Sequence, residues 1–248
     1  MSGHSKWATI KHKKGAIDAK RGQLFTKLIK EISIAAKGGG NADTNPRLRT
    51  AIQKAKDSNM PTDNIDRAVK KGTGELPGVT YEEATYEGYG PGGVAILVEV
   101  VTDNKNRASS EIRSIFSKKG GNMAGAGAVS WIFEKKGLFI VNKKAIEEDK
   151  LMDIVLEAGA EDMVSEDETY EIKSGQADFD KVRKAIDANK IKVESAEITM
   201  LPKNTIALGG DDAKQVLALV EALEEHEDVQ NVYANFDIPD DILKTLEG

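Results

Sequence analysis

Hydrophobic periodicity changes character once along this chain, and the change constrains the fold more than any single motif. Up to residue 72, apolar side chains recur every three or four positions, the spacing of one face of an α-helix. Residues 72–78, GTGELPG, are rich in glycine with one proline and break the pattern. Beyond them, β-branched and aromatic residues run in short strings that suit strands, interrupted by further helical stretches. A purely helical block and a mixed block do not share one layer architecture, so the spacing predicts a helical bundle joined by a hinge to an α+β body. At 248 residues the chain is long enough for two or three such units, each with its own core.

In the first block, Ile17, Leu24, Phe25, Leu28, Ile29, Ile32, Ala35 and Ala36 predict one helix over residues 17–37, in which Leu24, Leu28 and Ile32 hold the fold. On the helical wheel Lys27, Lys30 and Lys37 fall opposite this stripe, so the helix is expected to turn a cationic face outward. Three glycines, 38–40, stop it. A second helix starts at Asn45-Pro46, with asparagine as N-cap and proline in the first turn, and buries Leu48, Ala51, Ile52 and Ala55. Asn59-Met60-Pro61 ends it. Thr62 is the expected cap of a third helix, which carries Ile65, Ala68 and Val69 and closes at Gly72. Three short helices on short connections predict a small bundle.

In the second block, strands are expected over 80–89, 94–102 and 129–134, with a helix over 107–118 that turns Ile112, Ile115 and Phe116 inward. Residues 138–201 then read strand, helix, strand, strand, helix, strand, the ferredoxin-like order. The remainder offers a strand at 205–208, a helix over 211–224 and a strand over 229–236, too little for a domain of its own. Its simplest home is the sheet begun at residue 80. The expected fold class is therefore multi-domain α and α+β: a basic helical bundle (1–78), a second α+β domain (79–133 plus 204–248), and a ferredoxin-like domain (134–203) inserted in the second.

Charge divides along the same lines. The whole chain has 35 Lys+Arg against 41 Asp+Glu, a formal net of -6, yet residues 1–72 alone carry +10 and residues 204–248 carry -9. Residues 1–30 hold eight basic side chains and one acid, Asp18. Solvated faces normally mix both signs, so this one-sidedness predicts a nucleic-acid-facing module on an acidic body. The expected phosphate-binding residues are Lys6, Lys11, Lys13, Lys14, Lys20, Arg21, Lys27 and Lys30, with Trp7 and His12 as stacking groups and Arg47 and Arg49 on the second helix as candidates for base edges.

Other chemistry finds less support. With no cysteine there is no disulfide, thiol nucleophile or zinc-thiolate site. The three histidines suggest no nucleophile-base arrangement and no metal, so no enzyme and no cofactor are expected. GYGPGG, residues 88–93, matches the dinucleotide fingerprint in form, but a strand follows it instead of a helix, so it reads as a turn between strands. KKGLFIV, residues 135–141, has a faint RNA-recognition pattern without the paired aromatics and reads as a core strand. In TDNKNR, residues 102–107, Asn104 and Arg107 are candidate anion ligands at a helix start, with a capped turn as the competing reading. No apolar run reaches the roughly 18 residues of a membrane helix, and the start lacks a secretory h-region; a cytoplasmic protein is expected.

Several stretches together are more specific than any one of these. GHSKWATIKHKK with AKRGQLFTKLIKEI, then NPRLRTAI, NMPTDNIDRAVKKGTG, YEGYGPGGVAI, TDNKNR, and GGNM followed by FEKKG resemble, nearly end to end, the YebC family of bacterial proteins, whose relatives include a mitochondrial translational activator. The resemblance implies a helical N-terminal domain, a second α+β domain and a ferredoxin-like third domain inserted in the second. For function it implies a DNA-binding transcriptional regulator acting through the basic N-terminal domain; the alternative is a ribosome-associated translation factor that binds ribosomal or transfer RNA and relieves stalling at difficult sequences such as proline runs. Either implies nucleic acid, and in the second case the ribosome, as partner, no membrane, and no enzymatic activity. A monomer is expected. The plain stretch after GGNM, residues 124–128, offers no side chain for a specific role.

Overall fold

The computed structural model describes residues 19–166 and 168–239, with side chains from residue 21 onward. Three helices open it: α1 (Ala19–Ala36), α2 (Pro46–Asp57) and α3 (Thr62–Gly72). Leu28, Ile32, Ala35 and Ala36 of α1 meet Leu48, Ala51 and Ala55 of α2 and Ile65 and Ala68 of α3, with Met60 filling the corner between the last two. Fully buried side chains such as Ile32 and Leu48 each contribute roughly 1.5–3 kcal/mol relative to exposure. Leu24 departs from expectation and is 44% exposed. At 18 residues α1 outruns its 12- and 11-residue partners, so its first turns overhang the bundle.

Asn45 caps α2 as its sequence context predicts, its Oδ1 accepting from the Leu48 N–H at 3.1 Å. Its Nδ2 also donates to the carbonyls of Ala35 and Gly39, both at 2.8 Å, so one side chain satisfies the start of α2 and the end of α1. Thr62 does not cap α3: it lies inside the helix, Pro61 precedes it, and no side chain caps that end. Gly72 permits the α1–α3 crossing, since a Cβ there would lie 2.3 Å from the Ser33 carbonyl oxygen.

In the body, β1 (Glu82–Tyr89) and β2 (Ala95–Thr102) form an antiparallel hairpin whose turn is the GYGPGG stretch. Gly92 (φ 68°) and Gly93 (φ 78°) supply the left-handed backbone this turn needs. Then come α4 (Lys105–Lys118) and β3 (Asn122–Ala124), a short strand absent from the sequence expectation. The ferredoxin-like unit follows as β4 (Phe133–Asn142), α5 (Glu148–Glu157), β5 (Ala160–Ser165), β6 (Thr169–Gly175), α6 (Phe179–Ala188) and β7 (Val193–Pro202). The chain closes with β8 (Ile206–Ala207), α7 (Gly210–Glu224), β9 (Val229–Ala234) and β10 (Phe236–Asp237).

The first sheet has the order β3-β1-β2-β9, so the chain leaves it, builds a second sheet of order β5-β6-β4-β7, and returns. The ferredoxin-like domain is thus inserted in the second. On one face of the first sheet Val94, Ile96, Val98 and Val100 pack on Ile112 and Phe116 of α4 and Leu219, Val220 and Leu223 of α7. On the other, Ala95, Leu97 and Tyr233 meet Val129, Ile132 and Phe133. Phe133 begins β4, which is one ten-residue strand where the sequence suggests two. Its polar stretch Glu134-Lys135-Lys136-Gly137 resembles a loop, but the ladder to β7 runs straight through it. Among the described residues no helix is long and apolar enough to cross a membrane.

Candidate nucleic-acid interface

The lysine face of α1 lies away from the bundle, as its wheel predicts, but the second domain meets it. The Lys27 ammonium donates to the Glu224 carbonyl at 2.5 Å, and Lys37 donates to the Tyr81 carbonyl at 2.5 Å. Lys30 is only 6% exposed: it donates to the Glu227 carbonyl at 3.0 Å and pairs with Asp228. The acceptors of Lys27 and Lys30 lie at the C-terminal end of α7 and just beyond it, where unsatisfied carbonyls and the helix dipole favour cations. Asp228 is fully buried and also accepts from Thr102 Oγ1 (2.9 Å) and Arg107 (2.8 Å). Burial pushes its carboxyl up, but the hydrogen bonds from Lys30, Arg107 and Thr102 outweigh that and hold it below the usual carboxylate range. Lys27 and Lys30, expected on phosphate, instead tie the bundle to the second domain, because an acidic element distant in the chain covers that face.

Three other expected residues are also engaged. Arg47 grips Glu31 at 3.0 Å on α1 and Glu83 at 2.6 Å on β1; the hydrogen bond it donates to Glu83 is the main cause of its raised guanidinium pKa. Asn104 caps α4, its Oδ1 accepting from the Arg107 N–H at 3.0 Å, so the capped-turn reading of TDNKNR holds. The Arg107 side chain spans Asp103 and Asp228, each at 2.8 Å. Arg49 is exposed and donates to the carbonyls of Ala42 (3.1 Å) and Asp43 (3.3 Å). Arg21 is exposed, its guanidinium 5.4 Å from the Phe25 ring centre. Lys6, Trp7, Lys11, His12, Lys13 and Lys14 lie outside the described residues, as does the Lys20 side chain.

What remains presented to solvent on the bundle is Arg21 and Arg49, plus residues the sequence reading passed over: Arg67 on α3, Lys54 and Lys56 in the last turn of α2, and Lys70 and Lys71 in the last turn of α3. The place of the four lysines at helix ends, where basic residues commonly serve the dipole, hid them among ordinary C-terminal lysines. Residues 19–72 carry 12 basic and five acidic side chains.

Glu111, His226 and Asp228 bring potential metal-ligand atoms within 4.8 Å of one another. The grouping does not fit a metal. Lys30, Thr102 and Arg107 already occupy the Asp228 oxygens. His226 Nδ1 accepts from the Asp228 N–H at 3.2 Å, which leaves Nε2 to donate to Glu111 at 2.9 Å. A cleft of about 330 Å³ between Ser33, Lys37 and Lys71 and the 72–81 linker has no carboxylate or histidine in its lining.

Comparison with known proteins places these features in a family. Residues 5–75 match the family model described as the TACO1/YebC protein N-terminal domain, and residues 81–236 match the TACO1/YebC second and third domain. Proteins named "probable transcriptional regulatory protein" from Dictyoglomus turgidum and Syntrophobacter fumaroxidans are 58% and 59% identical to this chain, covering 99% of it and 100% of their own lengths. The crystal structure of a conserved hypothetical protein from Aquifex aeolicus superposes with a TM-score of 0.84 at 48% identity, covering 96% of this chain and 99% of that one. The chain therefore belongs to the TACO1/YebC family, whose bacterial relatives carry the names of regulators.

Proposed function

We propose that this protein is a non-enzymatic regulator of gene expression that works in the cytoplasm by binding nucleic acid through its basic N-terminal domain. The observation that carries this reading is the charge left over after the domains dock. Lys27, Lys30, Lys37 and Arg47 are engaged at the joint, yet exposed cations remain on all three helices, and Lys6, Lys11, Lys13 and Lys14 precede them in sequence. Such a surface binds phosphates, which position a protein without reading sequence. The regulator names of the relatives support the same reading.

DNA-binding transcriptional regulation is the first form of the proposal. In that form a promoter fragment outcompetes scrambled duplex by about a thousandfold or more at physiological salt. One observation favours the second form, a ribosome-associated factor on RNA: Arg47, the base-edge candidate of α2, is held by Glu31 and Glu83. Equal competition by scrambled duplex, together with co-sedimentation with ribosomes at about 150 mM salt, selects that form. Either form gives a steep salt dependence, with a log-log slope of about -4 to -5 for roughly six phosphates neutralised. Charge reversal of Lys11, Lys13 and Lys14 together is expected to flatten the slope by about two units. An unchanged slope removes the arm from the interface.

A further inference from the structure

The inserted sheet buries side chains on both faces, although its helices cover only one. Phe139 and Val141 of β4 and Tyr170 and Ile172 of β6 pack on Leu151 and Val155 of α5 and Val182 and Ile186 of α6. Side chains alternate across a strand, so Leu138, Ile140, Glu171 and Lys173 share the opposite face, where Ile140 is paired with Glu171 and Leu138 with Lys173. Leu138 and Ile140 are 6% and 5% exposed and Glu171 is 1%, yet neither aliphatic side chain belongs to any hydrophobic core of the described residues. On the edge strand β7 the residues paired with them, Glu197 and Ser195, are exposed. The cover over this face is therefore local to β4 and β6.

Glu171 is the group this face leaves unanswered. Its Oε1 has Lys173 at 3.5 Å, and that ammonium is shared with Asp162 at 3.7 Å. Burial pushes the Glu171 carboxyl up, against the pull of Lys173. A carboxylate taken out of water costs free energy unless each oxygen finds a donor, and among the described residues Oε2, itself buried, finds none. By strand parity and register the face carries Glu134, Asp162, Glu171 and Glu197 against Lys136 and Lys173. It is apolar at its centre and acidic overall.

We infer that residues 1–18 dock on this face, setting an arm lysine against Glu171 and the apolar side chains of Trp7 and Ile10 on Leu138 and Ile140. The segment suits the face in both respects. It has Lys6, Lys11, Lys13 and Lys14 against one acid, Asp18, and Trp7 and Ile10 lie among those lysines. Extended, residues 1–18 span up to about 60 Å, against a radius of gyration of about 18 Å expected of 248 residues, so an arm that begins at α1 reaches the inserted domain. A net-negative face repels phosphate, so nucleic acid is not its ligand. An arm joined to the same chain outcompetes one from a second copy through an effective concentration on the order of millimolar. The docking goes beyond the nucleic-acid reading of the arm, while its consequence rests on that reading: one lysine does not hold Glu171 and a phosphate at once. The inserted domain is then an internal competitor that keeps the arm until nucleic acid displaces it.

Trp7 and Trp131 are the two tryptophans of the chain, and Trp131 is 63% exposed, so a Trp131→Phe background leaves Trp7 as the one indole without opening a core. In that full-length protein Trp7 is expected to be shielded from acrylamide, and Lys11, Lys13 and Lys14 from trypsin. Glu171→Gln keeps the side-chain shape and removes the charge. It is expected to raise both Trp7 quenching and arm cleavage about threefold or more, as the undocked fraction grows. Reversing Lys11, Lys13 and Lys14 to glutamate is expected to expose Trp7 in the same way, and melting temperatures check that each variant is folded. Binding of a short DNA duplex and of transfer RNA is measured alongside; whichever binds is expected to bind Glu171→Gln about three- to tenfold more tightly. Equal quenching and equal cleavage in Glu171→Gln and its parent overturn the docking. Quenching that changes on dilution also overturns it, assigning the arm to a second copy. A freed arm with unchanged affinity overturns the competition. Binding of neither probe overturns the nucleic-acid reading and leaves the docking standing.

Discussion

Lys30 shows how one residue can change meaning between a helical wheel and a folded chain. The wheel places it opposite the buried stripe of α1, and there it stays, but Asp228 and the Glu227 carbonyl meet it. Removing one member of a buried pair leaves the other charge to be carried by fewer partners. Lys30→Ala is expected to cost about 2–4 kcal/mol, with Arg107 and Thr102 still on Asp228, and urea unfolding measures it. The acid response of this site follows from the Asp228 carboxyl, whose folded pKa lies below its unfolded value near ~4. Its contribution is complete above that unfolded value and is lost as pH falls through the lower folded one. Asp228→Asn is therefore expected to flatten the decline in stability below about pH 4 relative to the parent, as read from denaturation midpoints across pH.

At the scale of elements, periodicity carries most of the information and close contacts carry the rest. The apolar spacing of α1, the Asn45-Pro46 start of α2 and the ferredoxin-like order are legible because each depends on residues near in sequence. β3 is not, since three residues among glycines give no alternation to detect; only pairing with β1 makes them a strand. β4 hides its continuity for a similar reason. Two glycines in helices show the role of close contacts. Gly22, in α1, has nothing within 4 Å of where a Cβ would be, whereas at Gly72, ending α3, that position is 2.3 Å from the Ser33 carbonyl oxygen. Gly22→Ala is expected to raise stability by about 0.5–1 kcal/mol through helix propensity. Gly72→Ala is expected to lower it by about 1–3 kcal/mol by forcing α1 and α3 apart. Opposite shifts in melting temperature for one chemical change are the check.

For the molecule as a whole, opposite local charges hold the basic bundle on the acidic body. The +10 of residues 1–72 and the -9 of residues 204–248 are partly answered by each other across the joint. Arg47→Glu would set a third carboxylate beside Glu31 and Glu83. Each exposed contact is worth little alone, so global stability is expected to fall by no more than about 1 kcal/mol. Proteolysis of the 73–80 linker is expected to quicken several-fold, as followed by fragment mass. By itself the sequence determines the helical and strand periods, the helix cap at Asn45, the order of elements along the chain and the sign of each segment, because these depend on neighbours within a few positions. Only the tertiary structure decides which cations stay free. The partner of Lys30 lies 198 positions away, and a helical period says which face is apolar without saying whether the opposite face meets water or a distant carboxylate.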